Sequence, residues 1–188
     1  MKKISAYAYF ITLRTYGSWI HGNPKGSVTR QNNIFNTPRF SYCKKWQDTM
    51  QNAMQETRLA LNKNQRETLL QSMVNTCHYN HWRLLAAHVR VDHAHLVLQS
   101  AFSKEETMGK IKCYATKELK KNYPVLRDRT HFWSRHGSTK NIWIPEEIFY
   151  FLYYVVRDQG KPMALYYDQQ FYDSFDEELY EIYRAAYQ

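Results

Sequence analysis

HVRVDHAHLVLQS, residues His88 to Ser100, sets two histidines, His93 and His95, one residue apart in a run that is otherwise apolar and β-branched. The alternation predicts a strand over HAHLVLQS, paired with a preceding strand in WRLLAAHVRVD through a turn near Val91–His93. In a strand, residues i and i+2 point to the same side, with Cβ atoms about 6.6 Å apart. Ala94, Leu96 and Leu98 then pack into the core, and His93 and His95 lie on the face away from it. Two imidazoles so placed can share one divalent cation. The plainer reading is a pair of histidines on a half-exposed strand, and an imidazole turned into the apolar interior would speak against a metal. Asp92, just before the pair, adds a carboxylate that serves as a hard-cation ligand or a histidine partner. Two histidines and an oxygen ligand suit Mg²⁺ or Mn²⁺.

Outward from this hairpin, AYAYFITLRTYGSW (Ala6–Trp19) is aromatic and β-branched and predicts another strand. A Gly-, Pro- and Asn-rich loop follows to Phe40. Trp46, Met50 and Met54 then recur at helical spacing. A second helix carries Leu69, Leu70, Met73, Val74 and Cys77 on one side. Both stripes read as core. After the hairpin, Ser103 followed by Glu106 is a capping box that opens a lysine-rich helix. Residues 123–144 read as a basic, aromatic connector. Pro145 and two acids open a late helix that Gly160 stops. An acidic amphipathic helix ends the chain. Helices and strands mixed without strict βαβ alternation predict an α+β fold.

The 188 residues carry a net charge of +9. Six acids and one base lie from Asp168 onward, so residues 1–167 hold 25 of the 26 bases and 11 of the 17 acids, a net +14. The chain therefore reads as a basic domain, 1–167, followed by an acidic helix, 168–188. A basic body with 16% aromatic residues fits a polyanion partner, most simply nucleic acid. The basic start MKKISAYAYF lacks a small-residue cleavage site, and no apolar run reaches span length, so a cytoplasmic protein with no membrane role is expected. Cys43, Cys77 and Cys113 are too few and too scattered for a disulfide framework.

Four segments in order carry a resemblance: YFITLRTYGSWIHGNPKGSV, VRVDHAHLVL, MGKIKCYATKEL and FWSRHGSTKNIW. They resemble the HUH single-strand transposases with one catalytic tyrosine, the insertion-sequence and REP-associated transposase-like proteins. Asp92 stands where many members have Asn. The resemblance spans roughly Tyr9 to Gln159. It implies a ferredoxin-like antiparallel sheet with helices on one face, and a homodimer. It also implies a divalent metal on His93 and His95 and a tyrosine that attacks a phosphate of single-stranded, hairpin-forming DNA.

The nucleophile departs from that pattern. The tyrosine that should follow Trp-x-Arg is replaced by Gly137, Ser138 or Thr139, and no tyrosine occurs between Tyr123 and Tyr150. Tyr154 matches a family tyrosine that reads as structural. Tyr150 and Tyr153 on the late helix are then the leading candidates, with Tyr114 on the lysine-rich helix behind them. Arg135, His136, Ser138, Thr139 and Lys140 gather around Gly137 as a turn able to cradle a phosphate. Arg14, Lys112 and Lys117 are further phosphate contacts. Two readings follow: a metal-dependent single-strand endonuclease and strand transferase, or a tyrosine-deficient relative that binds DNA or RNA hairpins without cutting.

Overall fold

In a computed structural model, residues 6–22, 24 and 40–187 are described. The chain runs β1 (Ala8–Arg14), α1 (Lys44–Asn52), α2 (Lys63–Tyr79), β2 (Arg83–Val89), β3 (His93–Gln99), α3 (Lys104–Asn122) and β4 (Ser138–Ile142). It continues through α4 (Glu147–Val156), β5 (Ala164–Tyr167), α5 (Gln169–Asp173) and α6 (Glu177–Tyr187). The strands form one antiparallel sheet in the order β4-β1-β3-β2-β5. The first four strands with α2 and α3 are the ferredoxin-like arrangement that the resemblance implies, and β5 extends it beside β2. The long loop after β1 lies mostly outside the described residues.

Local sequence explains the helices. Asn62 and Gln65 cap α2 reciprocally, and Ser103 and Glu106 do the same for α3. Leu69, Met73 and Cys77 of α2, and Ile111, Ala115 and Leu119 of α3, are buried against the sheet at three- and four-residue spacing. They meet Ile11, Leu13, Ala94, Leu96 and Leu98 in one apolar layer. The β2–β3 turn is Arg90–Val91–Asp92, closed by Arg90 N–H donating to His93 O at 2.7 Å.

Three expectations need correction. Helices cover both sheet faces. Phe151, Leu152 and Val155 of α4 meet Phe10, Val97 and Leu85 in a second apolar layer, with α6 packed on α4. The cause is the apolar character of the sheet's other face, at Ala8, Phe10, Ala86 and Val97. Second, α1 buries none of its residues. Trp46 instead stacks on His21, with ring centroids 4.9 Å apart. Third, the stretch around Gly137 is no turn. Ser138–Ile142 is an edge strand paired with β1.

Candidate functional site

The histidine row is built by register. Ser138, Thr12, His95, His88 and Leu165 face one another across β4, β1, β3, β2 and β5, on the α4 side of the sheet. Arg14 stands opposite His93. The rings of His93 and His95 lie with centroids 4.9 Å apart. His93 Nδ1 meets Asp92 Oδ1 at 2.7 Å, and His95 Nδ1 meets Thr12 Oγ1 at 2.9 Å. Each imidazole is thus oriented through Nδ1, and its Nε2 has no hydrogen-bond partner among the described residues.

This face is not the one away from the core. α4 covers it, and His95 is 6% exposed, stacked on Phe10 and edge-on to Tyr154. Burial, followed by the charges of His93 and Arg14, pushes its pKa down to about 3. His95 is therefore neutral at ordinary pH, the form a metal ligand needs. By the criterion set from sequence, its turn toward an apolar layer counts against a metal. The oriented, neutral nitrogens count for one. His93 lies at the rim of this layer, half-buried.

Asp92 sits differently from a direct ligand. Its Oδ1 is on His93 and its Oδ2 accepts from Arg58 at 2.5 Å, so it acts as the carboxylate behind the histidine. The His93 hydrogen bond holds its pKa below the usual carboxylate range. His88 cannot ligate, because both nitrogens are used. Met163 N–H donates to Nε2 at 3.1 Å, so Nδ1 carries the proton that Val155 O accepts at 3.0 Å. No cluster of three His, Cys, Asp or Glu suited to a metal occurs among the described residues. The fit to Mg²⁺ or Mn²⁺ is therefore two nitrogens, His93 Nε2 and His95 Nε2, with further coordination left to oxygens from outside the chain.

The tyrosines separate. Tyr114 is on α3, which packs on the opposite sheet face, and its ring lies 6.5 Å from that of Tyr79. It is removed from the histidines by the thickness of the sheet. Tyr150 stacks on Tyr187, and Tyr153 stacks on Tyr180 with centroids 3.9 Å apart, both beneath α6. Burial raises the Tyr150 pKa, which makes its phenolate harder to form. The tyrosine against His95 is Tyr154, centroids 5.3 Å apart, the residue matched from sequence to a family tyrosine that reads as structural.

The proposed phosphate contacts divide as well. Ser138 and Lys140 are on the histidine face and Thr139 on the other, by pairing with Thr12, Phe10 and Ile11. Arg135 and His136 are exposed just before β4. Lys112 Nζ donates to Ser134 O at 3.2 Å, so it braces that segment. Lys117 is exposed, over the Tyr114 ring. Of the three positions that align with the family's tyrosine, Gly137, Ser138 and Thr139, the first is tightly enclosed, since a Cβ there would meet Thr12 O at 2.7 Å and Met108 Sδ at 2.5 Å. Thr12 and Arg58 were not visible as site residues, because only the strand register and the loop packing bring them to the histidines.

A family model described as "Transposase IS200 like" matches residues 52–138. No curated protein matches the chain. Among solved structures, the chain is similar to one titled "Structure of the REP associates tyrosine transposase bound to a REP hairpin". That match has 10% identity and a TM-score of 0.45, and covers 82% of this chain and 67% of that one. The matched residues 52–138 hold the histidine strand and the basic helix α3, so over that segment the chain is similar to the IS200-like transposases, the family that its motifs resemble.

Proposed function

We propose that the protein is a divalent-metal-dependent endonuclease and strand transferase for single-stranded, hairpin-forming DNA, acting as a homodimer. The observation that carries the reading is the histidine pair, each ring fixed through Nδ1 by Asp92 or Thr12 with Nε2 left for a ligand. A Mg²⁺ or Mn²⁺ ion held by His93 and His95 would polarise the phosphate under attack. Arg14, opposite His93, offers a cation to the same strand. Ser138 and Lys140 extend the polar edge of this face. The nucleophile comes from α4. Tyr154 leads because it touches His95. Tyr150 and Tyr153 act only after leaving their stacks under α6.

A second reading is a hairpin-binding protein that does not cut. It is favoured by the lack of a tyrosine at Gly137, Ser138 or Thr139, where the family's tyrosine aligns, and by the stacks that hold Tyr150 and Tyr153 against α6. Labelled hairpin DNA with single-stranded flanks, incubated with Mn²⁺ and run on a denaturing gel, separates the two. A covalent protein–DNA adduct that is lost in Tyr154→Phe supports cleavage through Tyr154. Loss in Tyr150→Phe or Tyr153→Phe instead moves the nucleophile along α4. Tight binding with no cleavage under any divalent metal leaves the binding reading. Light scattering of the free protein tests the dimer, and a single-chain mass refutes it.

A further inference from the structure

A cleft of about 600 Å³ opens beside His93, between the turn after β1 and the α1–α2 connection. Arg14, Trp19, Gln47, Gln51 and Arg58 line it together with His93. Its size falls within the roughly 300–1,000 Å³ typical of small-molecule sites. The Arg14 guanidinium lies over the Trp19 ring, 4.5 Å from its centroid, which joins a flat π surface to a cation. Arg58 is held on the other side by Asp92. Gln47 and Gln51, four residues apart, share one side of α1. Of these residues, Arg14, Trp19, Gln47 and Gln51 lie outside the family-matched segment.

The walls are built firmly. Tyr16 O accepts from Leu59 N–H at 3.0 Å, and Thr15 Oγ1 donates to Leu59 O at 2.7 Å. Gly17, at φ +72°, lies so close that a Cβ would meet Arg58 Cα at 3.1 Å. Gly22, at φ +82°, lies against α1 in the same way, with a Cβ 2.7 Å from Gln47 N. Both glycines take a left-handed conformation that lets the Trp19 turn press on the α1 side.

We infer that this cleft seats one unpaired nucleotide of the single strand next to the phosphate at His93, its base stacked on Trp19 and its edge read by Gln47 and Gln51. The inference rests on the proposed reading of the histidine pair as a single-strand site. Aromatic stacking tolerates any base, whereas a side-chain amide distinguishes base edges by its paired donor and acceptor. The two arginines meet the flanking phosphates.

The test is binding of short, labelled single-stranded DNAs without metal, each with one successive position made abasic. In the wild-type protein, one position is expected to weaken binding roughly five- to hundredfold when its base is removed. Trp19→Ala should make that position indifferent while leaving affinity for the abasic strand unchanged. Trp19→Phe, which keeps a ring, should retain the dependence and controls for folding. Joint Gln47→Leu and Gln51→Leu should flatten the choice among the four bases but keep the stacking loss. His93→Ala/His95→Ala protein should still show the dependence, so a protein that binds this way and never cuts sinks the cleavage reading alone. Absence of any base-dependent position, dependence that survives Trp19→Ala, or no binding to single strands overturns the inference.

Discussion

His95 and His88 are adjacent in the sheet and opposite in use. His88 spends both nitrogens on backbone groups of α4 and the segment before β5, whereas His95 spends one on Thr12. Burial lowers both pKa values, that of His95 from 6.5 to about 3. The unfolded chain therefore takes up these protons first as pH falls below 6.5. Stability is full above that value and declines toward about 3. Glu56 adds to this in the same direction. Backbone N–H groups of Thr130 and His131 hold its pKa at about 2 instead of 4.5, so its contribution is lost as pH falls between those values. Urea denaturation should give a lower midpoint at pH 5 than at pH 7, and a lower one still at pH 4. A midpoint that rises on acidification refutes the assignment. For chemistry, His93→Ala with His95→Ala should abolish cleavage and leave most DNA affinity, because phosphate contacts carry affinity. Gel-shift titration beside a cleavage assay reads both.

Gly137 belongs to the scale of elements, where β4 docks on β1. Gly137→Ala brings Cβ to 2.7 Å from the Thr12 carbonyl, and that backbone oxygen cannot move without opening the β1–β4 ladder. A destabilisation of about 1–3 kcal/mol is expected, read by chemical denaturation. Leu69→Ala, fully buried between α2 and the sheet, should cost about 2–5 kcal/mol by the cavity it leaves. The helices α2 and α3 were legible because their capping residues and apolar spacing are local. β4 was not. Ser-Thr-Lys-Asn-Ile has a weak strand pattern, and only pairing with β1 makes it extended. The α1 stripe misled because spacing reports one side of a helix without reporting what that side meets.

For the whole molecule, the basic body predicts electrostatic binding. Affinity for single strands should fall with salt with a log–log slope of about −0.7 per phosphate neutralised. A salt-independent affinity, or a preference for plain duplex, contradicts it. The acidic end of the chain is integrated: Asp168 caps α5 and pairs with Arg83, and Tyr180 of α6 is buried. The apolar excess of α4 and α6, which suggested a dimer from sequence, is largely spent within the chain. The dimer expectation then stands on the resemblance. Among the described residues, no helix is long and apolar enough to cross a membrane.

The sequence by itself determined the strand with its two histidines, the capped helices around it, the charge and the family resemblance, because each is written in neighbouring residues. Tertiary structure alone decided what surrounds the histidines. Thr12 reaches His95 through the β1–β3 register, Arg58 reaches Asp92 across a loop, and α4 brings Tyr154 rather than Tyr150 or Tyr153 to the ring. Those partners are 83, 34 and 59 residues apart in the chain, the last from His95 to Tyr154. No local periodicity encodes such distances. Burial on the two sides of one sheet fixed them, and it turned a face expected to meet solvent into a second core.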